Sequence, residues 1–197
     1  MGEGKQGRFL VDPAVSKAKF VRELRQYRQL EAEYIRRGWW LVRADWPEIF
    51  VVFGLPQVKP PGVAFGALLD FTNYDFWPPS VKLVNPFDQQ PYKQSELPTL
   101  MQRLTPQPQM GGMIVPQNLV QLYGEEHAPF ICLPGLREYH FHPAHTNDPW
   151  ELRRGKGEGT LYWVLDQLWQ YGVKPISGFN VQLQLAITGF IQGPPPP

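Results

Sequence analysis

A chain of 197 residues, 43% of them apolar, can bury one core of ordinary domain size. Lys and Arg number 19 against 18 Asp and Glu, a formal charge of +1, which excludes the basic surface of a general nucleic-acid binder. The single cysteine, Cys132, excludes an internal disulfide, and the apolar stretches fall far short of a membrane span, so a soluble cytoplasmic protein with no membrane partner is expected.

Residues 1–13 read as a flexible N-terminus: Met1 to Arg8 is Gly-rich and charged, unlike a secretory signal. From 14 to 37 the pattern predicts one amphipathic helix, with Ala14, Val15, Ala18, Val21, Leu24, Tyr27, Leu30, Tyr34 and Ile35 at helical spacing and Gly38 as its stop. Lys17, Lys19, Arg22 and Arg25 belong to a basic run on this helix, either a solvated face or a docking face for an acidic partner. Strands follow at 39–44, 49–53, 63–71 and 81–84, with Pro47, Lys59-Pro60-Pro61-Gly62 and Pro78-Pro79 marking the joins. Spacing this close leaves no room for crossover helices, so the class is α+β: an N-terminal helix beside a four-stranded antiparallel meander.

Residues 85–128 form a long excursion rich in Pro, Gln, Gly and Met, with weak helical patches at 97–104 and 118–123. Next come Phe130-Ile131-Cys132-Leu133-Pro134 and then Tyr139-His140-Phe141-His142-Pro143-Ala144-His145, which holds three of the four histidines. A helix is predicted over 160–171, with Thr160 as N-cap, Gly172 as stop, and Leu161, Val164, Leu165 and Leu168 as its buried stripe. Residues 181–187 suggest a terminal strand or amphipathic helix, and 192–197 a proline tail. The whole of 14–191 reads as a single domain.

The order helix, four-strand meander, aromatic-Pro-Pro turn, long excursion, Ile-Cys-Leu, helix resembles the ubiquitin-conjugating enzyme superfamily. The residues that carry the resemblance are Tyr74-Asp75-Phe76-Trp77-Pro78-Pro79 with Val81 behind it, and Ile131-Cys132-Leu133. The resemblance implies that Cys132 carries a ubiquitin-like protein as a thioester and hands it to an amine. It further implies three partners: the ubiquitin-like modifier, an adenylating enzyme and a target protein. Family members usually place the Asn of a His-Pro-Asn tripeptide eight residues before the cysteine; here position 124 is Gly. The pattern is more similar to divergent bacterial conjugating enzymes encoded beside such modifiers in antiviral defence operons than to eukaryotic members.

The residues themselves leave several chemistries open. Cys132 is either a nucleophile at an element end or a buried structural thiol. One of the imidazoles of His140, His142 and His145 could act as base or oxyanion donor beside Cys132; His140 and His142, alternating in an extended segment, would face one side and are the first choices. Alternatively His140, His142 and His145, with or without Cys132, would bind a metal, or the histidines are incidental. Glu138 and Asp148 could orient an imidazole, and His127 is a lesser candidate. Arg154-Gly155-Lys156-Gly157-Glu158-Gly159 lacks the spacing and Ser/Thr of a phosphate loop, so no cofactor is implied and ATP chemistry falls to a partner. The rivals to a conjugating enzyme are a non-catalytic binding module of the same fold and a small metal-binding protein.

Overall fold

The computed structural model describes residues 10–107, 111–122 and 128–178. Its first helix, α1 (Pro13–Gln29), starts where Asp12 accepts a hydrogen bond from the Ala14 N–H at 2.8 Å and Pro13 fills the first helical position. The single helix expected over 14–37 breaks at Leu30 (φ −119°) into α1 and α2 (Glu31–Arg36). The inward stripe of α1 is Ser16, Phe20, Glu23 and Tyr27, whereas Val15, Val21, Leu30 and Ile35 are exposed. Large aromatics override the aliphatic periodicity here: Phe20 meets Trp46 and Phe71 edge-on at 5.4 and 5.6 Å, burying more area than a valine could.

The antiparallel meander is present. Strands β1 (Trp39–Asp45), β2 (Glu48–Leu55), β3 (Gly62–Asp70) and β4 (Ser80–Val84) form one sheet in the order β1-β2-β3-β4. Its register sets Trp39 opposite Phe53, Ile49 opposite Leu69 and Leu69 opposite Val81. Those side chains form the main core with α4 (Leu161–Gly172), whose Leu161, Val164, Leu165 and Leu168 are buried as expected. Thr160 caps α4 by accepting from the Trp163 N–H at 3.3 Å. A second cap is not apparent from spacing: the buried Glu23 carboxylate accepts from the Leu161 N–H at 3.1 Å and from Tyr74 and Arg22, locking α1 to α4. A buried carboxylate persists only with such partners. The fold is therefore α+β, and among the described residues no helix is long and apolar enough to cross a membrane.

The excursion holds strands rather than helical patches. After a 3-10 turn at Gln94–Glu96, β5 (Gln102–Gln107) and β6 (Met113–Asn118) form a hairpin, and β7 (Val120–Gln121) pairs with β8 (Phe130–Ile131). Pro98, Pro106 and Pro116 lack the N–H groups a helix ladder needs, and alternation suits a two-stranded ribbon instead. Position 124, where Gly stands in place of the family Asn, the candidate His127, and the stretches 1–9 and 181–187 lie outside the described residues.

Candidate functional site

Cys132 follows β8 directly, at an element end. Its N–H donates to the Leu119 carbonyl at 2.7 Å, and the Leu119 N–H donates to the Met101 carbonyl at 2.9 Å, so three backbone segments lie side by side. The residue is both at an element end and buried, with 6% of its surface exposed. The histidine-bearing segment closes over it. Here the extended reading of residues 139–145 is corrected: the chain forms α3 (Arg137–Phe141), then a 3-10 turn over Pro143–His145 and another over Trp150–Leu152. Pro143 opens its turn at the first position, and the His142 ring caps it by accepting from the Ala144 N–H at 3.3 Å.

That turn brings His145, rather than His140 or His142, to the thiol. The His145 Nε2 atom lies 3.1 Å from the Cys132 Sγ. His140 and His142 do not share a face, because α3 carries His140 on a helical path on which residues two apart diverge. His140 spans two backbone carbonyls instead: Nδ1 lies 3.0 Å from the Asp148 oxygen and Nε2 2.5 Å from the Pro134 oxygen. It ties the loop after Cys132 to the loop after His145. His142 caps its turn and its ring lies 5.5 Å from that of His145. Among the described residues no group of three or more His, Cys, Asp or Glu could hold a metal ion.

A second layer fixes His145. The Tyr139 ring stacks on its imidazole at 3.8 Å and 15°, and the Tyr139 hydroxyl donates to Asp148 Oδ2 at 2.8 Å. Arg153 grips the Asp148 carboxylate at 2.6 to 2.9 Å and reaches Glu158 at 2.9 Å. Asp148 therefore orients the imidazole through the tyrosine, and the Arg153 guanidinium holds its carboxyl below the usual carboxylate range. The Glu138 carboxylate accepts from Ser80, at the start of β4. Arg137 joins the segment to the double-proline turn: its N–H donates to the Pro79 carbonyl at 3.0 Å, and its guanidinium to the Asp70 carboxylate at 2.9 Å and the Thr72 carbonyl at 2.7 Å. Pro78-Pro79 stands at the entrance of β4 as expected, while Trp77 packs edge-on against Phe141 at 5.0 Å.

Burial pushes the Cys132 thiol pKa up, opposed by the positive charge of Arg103. Burial, then the neighbouring His142, pushes His145 down. Both shifts favour uncharged forms, so near neutral pH a thiol faces a neutral imidazole, whose Nε2 accepts the S–H in the Nδ1–H tautomer. Such an arrangement can serve as a nucleophile with a base beside it, rather than as a preformed thiolate–imidazolium pair. Gly135 keeps the segment tight. A Cβ there would collide with the Trp163 ring and come 2.7 Å from the Gly159 nitrogen. Gly135→Ala is expected to cost about 1 to 3 kcal/mol, read as a lower Tm in thermal unfolding.

With this geometry in view, comparison with known proteins yields one family. A model of the Y4jH family, described as Y4jH-like, matches residues 11–176. The chain belongs to the Y4jH family. A relative, "Uncharacterized protein y4jH" of Sinorhizobium fredii (strain NBRC 101917 / NGR234), is 40% identical over 197 residues, covering 93% of this chain and 95% of that protein. The match to the Y4jH family spans the meander, the double-proline turn, Cys132, the histidine segment and α4.

Sequence reasoning singled out Cys132 and the three histidines but ranked His140 and His142 ahead of His145, and it did not single out Tyr139, Arg153 or Arg103. Pro143 was the available signal: a proline two residues before His145, directly after a ring able to cap, favours a tight turn over an extended strand.

Proposed function

We propose that this protein is a conjugating enzyme of a divergent ubiquitin-conjugating fold, carrying a ubiquitin-like protein as a thioester on Cys132. One observation carries the reading: the 3.1 Å contact between the Cys132 sulfur and His145 Nε2. It gains support from the order of helix, four-stranded meander, Pro-Pro turn, cysteine segment and helix around it.

In loading, the Cys132 sulfur attacks the modifier's C-terminal carbonyl, held as a thioester on the adenylating enzyme, while the thiol proton passes to His145. Collapse of the tetrahedral intermediate expels the donor thiolate, which takes up that proton. In transfer, an amine of the target attacks the same carbonyl and gives its proton to His145. Cys132 leaves as a thiolate and is reprotonated by the imidazolium. ATP is consumed by the adenylating enzyme. Docking of that enzyme falls to α1, where Lys17 and Arg25 are exposed. Lys19 is committed to Asp75 and Arg22 to the buried Glu23, so these two shape the face rather than reach across it.

The test combines purified protein, ATP, and an adenylating enzyme and ubiquitin-like protein from the same genome. Wild type should give an adduct that thiol reductant removes, and Cys132→Ser an oxygen ester that resists it. Cys132→Ala should give none. An adduct that survives in Cys132→Ala would place the chemistry elsewhere, and a wild type that is never loaded would leave a binding module.

A further inference from the structure

Acyl transfer to a thiol needs hydrogen-bond donors for the oxygen that becomes negative in the tetrahedral intermediate. A pair made of Cys132 and His145 supplies a nucleophile and a base but no such donor. The base of the β5–β6 hairpin carries a candidate. Arg103 lies two residues beyond Met101, on the strand whose backbone is linked through Leu119 to that of Cys132. Its guanidinium is anchored at one end, where Nη2 donates to Gln117 Oε1 at 2.7 Å, across the register pair Arg103–Gln117. Thr105 donates to the same Gln117 oxygen at 3.3 Å, fixing the amide. The Nε–H of Arg103 is buried and, among the described residues, has no hydrogen-bond partner. A buried charged donor without an acceptor is costly, and nearly all such groups in folded proteins are satisfied. Its charge is felt at the nucleophile, drawing the Cys132 thiol down against the push of burial.

We propose that Arg103 is a catalytic residue that donates to the carbonyl oxygen of the acyl group while it is attacked by, or released from, the Cys132 sulfur. This rests on the reading of Cys132 as an acyl carrier. An acyl oxygen entering the site supplies the acceptor that Nε lacks, while Gln117 holds the exposed Nη2 end of the fork in place. The Arg fork suits this role because several N–H groups are fixed in one plane and the charge is permanent.

Two reagents separate this role from a mere effect on thiol acidity, and neither needs a partner protein. p-Nitrophenyl acetate acylates the thiol: the sulfur attacks the acetyl carbonyl, the S–C bond forms, the C–O bond breaks, nitrophenolate leaves and the thiol proton goes to His145. Iodoacetamide alkylates the same sulfur by displacing iodide at a saturated carbon, with no oxyanion. For Arg103→Met, acylation should fall on the order of 100-fold or more, as for loss of one oxyanion donor. Alkylation should fall by less than about tenfold, since one thiol pKa step is a factor of ten. Arg103→Lys keeps the charge and should restore alkylation but not acylation. Equal losses in both reactions, or unchanged acylation, would overturn the assignment. Nitrophenolate release that persists in Cys132→Ala would instead remove the underlying reading of Cys132, a distinct outcome.

Discussion

Replacing His145 with alanine is expected to slow thioester formation about 100-fold or more at pH 7, within the range for loss of a positioned general base. The reason lies in the direction of the two shifts. Burial raises the thiol pKa, so little thiolate exists at neutral pH and the proton must leave during attack. Burial also lowers the imidazole pKa, so His145 is unprotonated and ready at pH 7, and activity is lost only in solution more acid than the ordinary imidazole range. The deficit of His145→Ala should narrow as pH rises, because direct ionisation of Cys132 replaces the missing base. A pH–rate profile of loading, followed by quenched-flow and non-reducing gels, measures this. A deficit that is constant with pH would mean that His145 acts only by packing against Tyr139.

Trp150→Ala is expected to be the most destabilising single change near the site, costing about 3 to 5 kcal/mol. Trp150 is 2% exposed, and its Nε1–H donates to the Asp75 carbonyl at 2.9 Å. Its ring stands 5.7 Å from that of His140 at 62° and close to Gly159. It therefore pins the double-proline turn and the histidine segment to one another. Trp150→Phe keeps much of the ring but leaves the part-buried Asp75 carbonyl without this donor, a loss of about 1 kcal/mol. Denaturant unfolding monitored by circular dichroism distinguishes the two variants. If both unfold like wild type, the ring does not pin the segment.

The sheet was legible because four strands are separated only by tight, Pro- or Gly-marked joins, and α4 because Thr160 and a four-residue apolar stripe act locally. The inner face of α1 was not. Its stripe contains Ser16 and the buried Glu23, whose burial depends on Leu161 more than a hundred residues away. No local pattern reports such a partner. The same holds for the site. Cys132 stood out as the one thiol beside an element end, but His145 reaches it only because Pro143 turns the chain and Tyr139 stacks beneath the ring. Alternation of His140 and His142 pointed to a strand, and the helical turn of α3 replaced it. Arg103 drew no notice in a segment that read as weakly helical. Only the pairing of β5 with β6 sets it against Gln117 with its Nε–H unsatisfied.

Intact-mass analysis under non-reducing conditions tests the central claim most directly, after incubation with the adenylating enzyme, ubiquitin-like protein and ATP. The expected species is the chain plus one modifier less water, lost on reduction, mapped to Cys132 by peptide fragmentation and absent from Cys132→Ala. A chain that stays at its own mass while the adenylating enzyme is itself charged would contradict the claim.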